Sequence, residues 1–152
     1  MRIHKHLATV LLALPMIGMA QQVSETKQGL RVDPAGDKPT TEVMVYAPNI
    51  IRVTKYADGL EALPEKKSYS VIMTPEKGKG LWRVEGTTLS TACLTVTVDA
   101  ATGEVRFTDA NGNALLAEKG EAEVTSITAG VDKGKYSIRQ DFQLGTNEAI
   151  YG

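Results

Sequence analysis

The sequence predicts an all-β protein, an antiparallel β-sandwich, and three observations carry that prediction. Short β-branched runs recur through most of the chain, each bounded by Gly, Pro, Asn or Asp. Within the clearest of them, apolar and polar residues alternate with the period of two that a half-buried strand requires. After the first 20 residues, no segment carries a helical apolar stripe over ten or more positions.

Taken in order, "TEVMVYA" and "NIIRVTKYA" read as two strands joined by a turn at Pro48-Asn49. In the second, Ile51 and Val53 alternate with Arg52 and Thr54. "DGLEALPEKK" reads as a charged loop, "YSVIM" as a strand, "TPEKGKG" as a loop, and "LWRVE" as a return to extended chain. In "LTVTVDAATGEVRFTDANGNALLAE", Leu94, Val96 and Val98 share one face and Thr95 and Thr97 the other. Ala101-Thr102-Gly103 turns that chain into a strand with Val105 and Phe107. Asn111-Gly112 is expected to turn it again through positive backbone dihedrals, which makes a β-meander. "AEVTSIT" and "KYSIRQDFQL" continue the theme, with Tyr136, Ile138, Phe142 and Leu144 expected on one face.

The chain of 152 residues begins "MRIHKHLATVLLALPMIGMA". Two basic residues, an apolar run and small residues at Gly18 and Ala20 predict a cleavable signal peptide over residues 1–20. The run is shorter than the ~20 residues of a membrane span and contains Pro15, so no membrane association is expected after cleavage. Secretion or a bacterial periplasmic location follows as an expectation. Cleavage removes Arg2 and Lys5 but none of the 18 acidic residues, so the mature chain is mildly acidic and nucleic acid is not an expected partner. Residues 21–40 are polar, with two prolines and two glycines, and read as a flexible leader with one short strand near Leu30 to Val32. Residues 41–152 form the expected sandwich domain.

Several chemistries are excluded by composition. Both histidines, His4 and His6, precede the cleavage site, so the mature chain has no imidazole for a triad or a zinc site. Cys93 is the sole cysteine, which rules out an intramolecular disulfide, and it reads as a small core residue. "DANGN" spaces oxygen ligands as a calcium loop does, but the sixth position is Ala114 and the twelfth is Gly120, so a hairpin turn is expected. "GVDKGKY" has Gly130 and Gly134 one residue too close for a phosphate loop, and Tyr136 stands where a metal-binding hydroxyl is needed. Asp58, Glu61, Glu65, Glu76, Asp99, Glu104 and Asp109 read as solvated surface, so neither a catalytic constellation nor a cofactor is expected. Trp82 with Tyr46, Tyr56, Tyr69 and Tyr136 offers aromatic faces for sugar rings, but the inter-sheet core is the favoured place for Trp82.

Three stretches, "NIIRVTKYADG", "LTVTVDAATGEVRFTDANGNALLAE" and "YSIRQDFQLGTNEAIYG", together resemble the N-terminal β-sandwich region of glycoside hydrolase family 31, which includes α-glucosidases and α-xylosidases. The hairpin pattern of that family is met at Thr102, Gly103, Val105, Phe107, Asp109, Gly112, Leu115, Leu116 and Glu118. A second pattern is met at Phe142, Leu144, Glu148, Tyr151 and Gly152. The resemblance implies a galactose-mutarotase-like sandwich that precedes a (β/α)8 barrel. Two barrel aspartates there perform retaining hydrolysis of α-glycosides, a reaction that needs carboxyl groups about 5 Å apart. No aspartate of this chain corresponds to them, so the chain alone is expected to be inactive. The implied partner is the barrel of the same parent polypeptide, with an α-linked oligosaccharide as ligand of the whole, and further strands are expected after "YG". The rival expectation is a stand-alone secreted carbohydrate-binding sandwich.

Overall fold

The computed structural model describes residues 21–56, 71–75 and 80–144. The signal segment, the "DGLEALPEKK" loop, Tyr69 and the "NEAIYG" motif lie outside the described residues. Among the described residues there is no helix, and the architecture is the expected antiparallel sandwich.

The described residues form twelve strands: β1 (Gln22–Glu25), β2 (Gly29–Asp33), β3 (Thr40–Ala47), β4 (Ile50–Tyr56), β5 (Trp82–Glu85), β6 (Thr88–Thr91), β7 (Leu94–Val98), β8 (Val105–Asp109), β9 (Ala114–Glu118), β10 (Glu123–Ser126), β11 (Tyr136–Arg139) and β12 (Phe142–Gln143). One sheet has the order β1-β2-β3-β4, and the other β12-β9-β8-β7-β6-β5; β10 and β11 form a separate two-stranded ribbon. Leu30, Val32, Val43 and Val45 from the first sheet meet Leu89, Val96, Val98 and Val105 from the second, all fully or almost fully buried. Ile51, Val53, Trp82, Val84, Ala100 and Phe107 pack around that centre. The alternation read from the sequence is what aims these side chains inward from both layers.

The structure differs from the sequence reading in five places. Residues 21–40, expected as a flexible leader, contain two paired strands, and β2 delivers Leu30 and Val32 into the centre of the core. Their burial outweighs the turn-rich composition around them, because each fully buried aliphatic side chain contributes roughly 1.5–3 kcal/mol. The "YSVIM" strand is absent over its described part, where Val71, Ile72 and Met73 are exposed outside any strand. Local β propensity needs a partner strand to be realised, and no described strand pairs with this segment. Cys93 is exposed rather than buried. The Thr91 hydroxyl accepts the amide N–H groups of Cys93 (3.2 Å) and Leu94 (2.9 Å), closing a tight β6–β7 turn that carries Cys93 on its outside.

At "DANGN" only Gly112 has a positive φ, +85°, and Asn111 does not. Gly112 N–H donates to the Asp109 carbonyl (3.1 Å) and Asp109 N–H to the Asn113 carbonyl (2.9 Å), the pattern of a β-turn followed by a left-handed glycine. Tyr136 and Ile138 do not share a face with Phe142 and Leu144, because the chain breaks at Gln140 and Asp141. β11 pairs with β10, whereas β12 joins β9 at the edge of the six-stranded sheet.

Candidate functional site

The most organised polar site lies between the two sheets, where β3 and β4 meet the β7–β8 turn and the end of β9. Thr41 and Lys55 are Cα partners on β3 and β4, so their side chains point to the same, inward face. Lys55 Nζ donates to Glu118 Oε2 (2.7 Å) and to the Gly103 carbonyl (2.8 Å). Thr41 Oγ1 donates to the same carbonyl at 3.2 Å. Glu118 Oε2 also accepts the Val105 amide N–H at 2.7 Å. Both charged side chains are largely out of solvent, at 13% and 8% exposure. A buried charge pair persists only where further hydrogen bonds satisfy its remaining groups, and the Gly103 carbonyl and Val105 amide do that here.

Gly103 fits this site because it has no side chain. Its φ is +74°, and a Cβ there would stand 3.1 Å from Thr41 Oγ1. The motif residues of the hairpin thereby acquire physical roles. Val105 fills the core, Phe107 packs against it, Gly103 and Gly112 supply the two left-handed positions, and Glu118 locks the hairpin to the opposite sheet. Glu118 is not among the seven carboxylates that read as solvated surface; the sequence marks it as a motif position and gives no sign that it is buried. Its partner Lys55 lies 63 residues away, beyond any local pattern.

Further polar groups tie loops rather than build a reaction centre. Lys38 Nζ bridges the Ala101 carbonyl (2.9 Å) and Glu121 (2.6 Å). Asp33 accepts from the Arg31 guanidinium and from Thr40 Oγ1. Burial pushes the Asp33 carboxyl up, but the hydrogen bonds from Arg31 and Thr40 outweigh it and hold the group below its ordinary value. Asp99 is also held low, chiefly by the backbone N–H groups of Ala101 and Thr102. Asp109 is held low by the side chain and backbone N–H of Asn113. The Asp109 carboxylate is thus occupied within its own turn, as the hairpin reading expects, and the "GVDKGKY" segment is likewise the connection between β10 and β11.

A carboxyl that titrates lower in the folded than in the unfolded state stabilises the fold above its unfolded value, and that contribution is lost as pH falls through the folded value. Asp33, Asp99 and Asp109 therefore add no slope near neutrality and contribute to an acid limb below about pH 4. Urea midpoints measured from pH 6 down to pH 2.5 are expected to fall more gently in an Asp99→Asn, Asp109→Asn double variant. An unchanged acid limb would show that these carboxyls do not contribute.

Among the described residues the aromatic side chains do not form one platform. Trp82 is half-buried against the core, and Tyr46 is buried with its hydroxyl 3.3 Å from the Arg52 guanidinium. The Tyr56 hydroxyl donates to Glu42 (2.8 Å), and Tyr136 stands exposed on the β10–β11 ribbon. Tyr69 and Tyr151 lie outside the described residues. Asp99 is exposed and Glu104 and Asp109 are half-exposed, whereas Asp58, Glu61, Glu65 and Glu76 lie outside the described residues. Among the described residues, no group of three or more His, Cys, Asp or Glu side chains could hold a metal ion. The inter-sheet site is built for holding, since its carboxylate is already paired and hydrogen-bonded.

Residues 40–152 match the family described as the glycosyl hydrolase 31 N-terminal galactose mutarotase-like domain. The fold is similar to part of the crystal structure of the GH31 alpha-xylosidase from Xanthomonas citri, with a TM-score of 0.63 and 25% sequence identity. That similarity covers 81% of this chain and 14% of the xylosidase. A match over most of the chain, on a sandwich in which the hairpin-motif residues have core, turn and inter-sheet roles, establishes the relationship: this chain belongs to the glycosyl hydrolase 31 N-terminal galactose mutarotase-like domain family.

Proposed function

We propose that this chain is the non-catalytic N-terminal domain of a secreted or periplasmic α-glycosidase, which supports a (β/α)8 barrel and the mouth of its active site. The substrates of the parent would be α-glucosides or α-xylosides. The observation that carries this reading is the alignment of 81% of the chain with only 14% of a GH31 alpha-xylosidase. Most of such an enzyme lies outside the matched part, and a retaining mechanism needs two carboxyl groups about 5 Å apart. The one buried carboxylate described, Glu118, is paired with Lys55 and bonded to the Val105 amide, which suits a fold-locking role rather than a nucleophile.

The experiment expresses the 152-residue chain and the polypeptide encoded by its full reading frame, and assays both with aryl α-xylosides and aryl α-glucosides. Hydrolysis by the parent alone is expected, and hydrolysis by the 152-residue chain would overturn the reading. Mass spectrometry of the exported protein is expected to find Gln21 at its N-terminus, and retention of Met1 would overturn export through cleavage after Ala20. The stand-alone sugar-binding reading has no specific observation in its favour, since Trp82 is turned to the core, the Tyr46 and Tyr56 hydroxyls on the outer face of the four-stranded sheet are engaged by Arg52 and Glu42, and Tyr136 lies apart on the β10–β11 ribbon.

A further inference from the structure

The β10–β11 ribbon belongs to neither sheet. It grows out of the β9–β12 edge, where Lys119 N–H donates to the Asp141 carbonyl (2.9 Å) and the four residues 119–122 oppose only Gln140 and Asp141. Extra residues on one strand break the ladder and bend the pair. At the bend Gly120 has a φ of +80°, and the Gln140 side-chain amide donates to its carbonyl (3.2 Å). Glu121 is held by Lys38 (2.6 Å) from the loop between β2 and β3. Polar contacts therefore set the direction in which the ribbon leaves the sandwich.

Its two faces are unlike. Val124 and Ile138 are Cα partners, as are Ser126 and Tyr136, so Val124, Tyr136 and Ile138 share one face. The other carries Glu123, Thr125, Ser137 and Arg139, with Arg139 paired to Glu123 (3.9 Å) and to Asp141 (2.8 Å). The second face is made for water and the first for a core, yet Ile138 is 67% and Tyr136 48% exposed. A two-stranded ribbon is marginally stable unless a further layer covers its apolar face.

We propose that the β10–β11 ribbon is a docking arm whose Val124, Tyr136 and Ile138 face packs on apolar surface of the catalytic part of the same parent polypeptide. The proposal rests on the reading of the chain as the N-terminal domain of a glycosidase, and assigns the contact to one face of one hairpin. Size identifies the occupant. With four residues in each of two strands, the face is about 13 Å long and about 10 Å wide. A stable complex between separate chains buries about 800 Å² on each partner. Neither a second copy nor a separate protein is held by so small a face. A tethered partner is, because the tether supplies an effective concentration in the millimolar range. The preset direction of the ribbon lowers the ordering cost of that contact further.

The test is maleimide labelling of the parent polypeptide in a Cys93→Ser background, with Ser137→Cys and Ile138→Cys introduced singly and each site read by peptide mass spectrometry. Both positions are exposed in the domain itself. In the parent, position 138 is expected to react at least about 10-fold more slowly than position 137, because the core of an interface is packed like a protein interior. Hydroxyl-radical footprinting of Tyr136 in the unsubstituted parent is the second measurement, since removing the isoleucine can itself weaken the contact. Tyr136 is expected to oxidise several-fold more slowly there than in the 152-residue chain. A Tyr136 equally reactive in both, in an active parent, would overturn the arm and leave the glycosidase reading intact. Slow labelling at both 137 and 138 would overturn docking by one face. Protection lost on dilution would assign the face to a second copy and also overturn the proposal. A parent without glycosidase activity would overturn both readings.

Discussion

Replacing Glu118 by alanine is expected to cost about 4 kcal/mol of folding stability, because it removes one partner of a buried ion pair and leaves the other without compensation. In that variant Lys55 would keep only the Gly103 carbonyl as an acceptor, and the Val105 amide would lose its only described partner on β9. An unsatisfied buried donor alone costs roughly 1–3 kcal/mol. Against a total stability of about 5–15 kcal/mol for a domain, this loss is large. Glu118→Gln keeps an acceptor for Val105 but not the charge, and should fall between wild type and Glu118→Ala. The double variant Lys55→Met, Glu118→Leu removes both charges together and is expected to recover much of the loss, since a buried pair often contributes little relative to apolar residues of similar size. Urea unfolding of the four proteins forms a cycle from which the coupling can be read. A loss below about 1 kcal/mol for Glu118→Ala would place the pair in the class of solvated surface bridges and remove its role as an inter-sheet lock.

The same site shows what a sequence displays and what it withholds. β7, β8 and β9 were legible because their alternation is strong and their turns carry Gly103 and Gly112. Both glycines adopt the positive φ expected of turn residues. β6 was not legible: Thr88 to Thr91 offers one apolar residue, Leu89, although that residue is fully buried. Its burial comes from β2 and β5 approaching it, which no window of four residues can reveal. Leu30 and Val32 show in the sequence as a short alternation among Pro and Gly, and it is pairing with β1 and β3 on either side that makes β2 a core strand. Glu118 is the instructive case for the site. Alternation predicts which face a residue takes, whereas whether a carboxylate on the inner face is tolerated depends on Lys55 arriving from another sheet. Family resemblance marked Glu118 as a motif position, and only the fold supplies the reason for it.

Gly29→Ala is expected to be the most damaging single-methyl change in the described part of the domain. Gly29 opens β2 with a φ of +155°, and a Cβ there would overlap the carbonyl oxygen of Val43 and stand 3.1 Å from its carbonyl carbon and 3.2 Å from Leu89 Cδ1. Two of these neighbours are backbone atoms of β3, so no rotamer change can relieve them, and moving Val43 would displace a strand that pairs on both sides. Positive-φ strain of about 1–3 kcal/mol adds to an overpacking cost of similar size, so a loss of at least about 4 kcal/mol is expected. Gly36→Ala provides the comparison, because Gly36 also has a positive φ, +83°, but a Cβ there would meet nothing within 4 Å. That variant should lose only the backbone part, about 1–2 kcal/mol. Thermal and urea unfolding of the two variants separate close packing from backbone strain. Equal losses would show that the approach of β2 to Val43 and Leu89 contributes nothing, and that residues 21–40 are attached to the sandwich far more loosely than the buried Leu30 and Val32 imply.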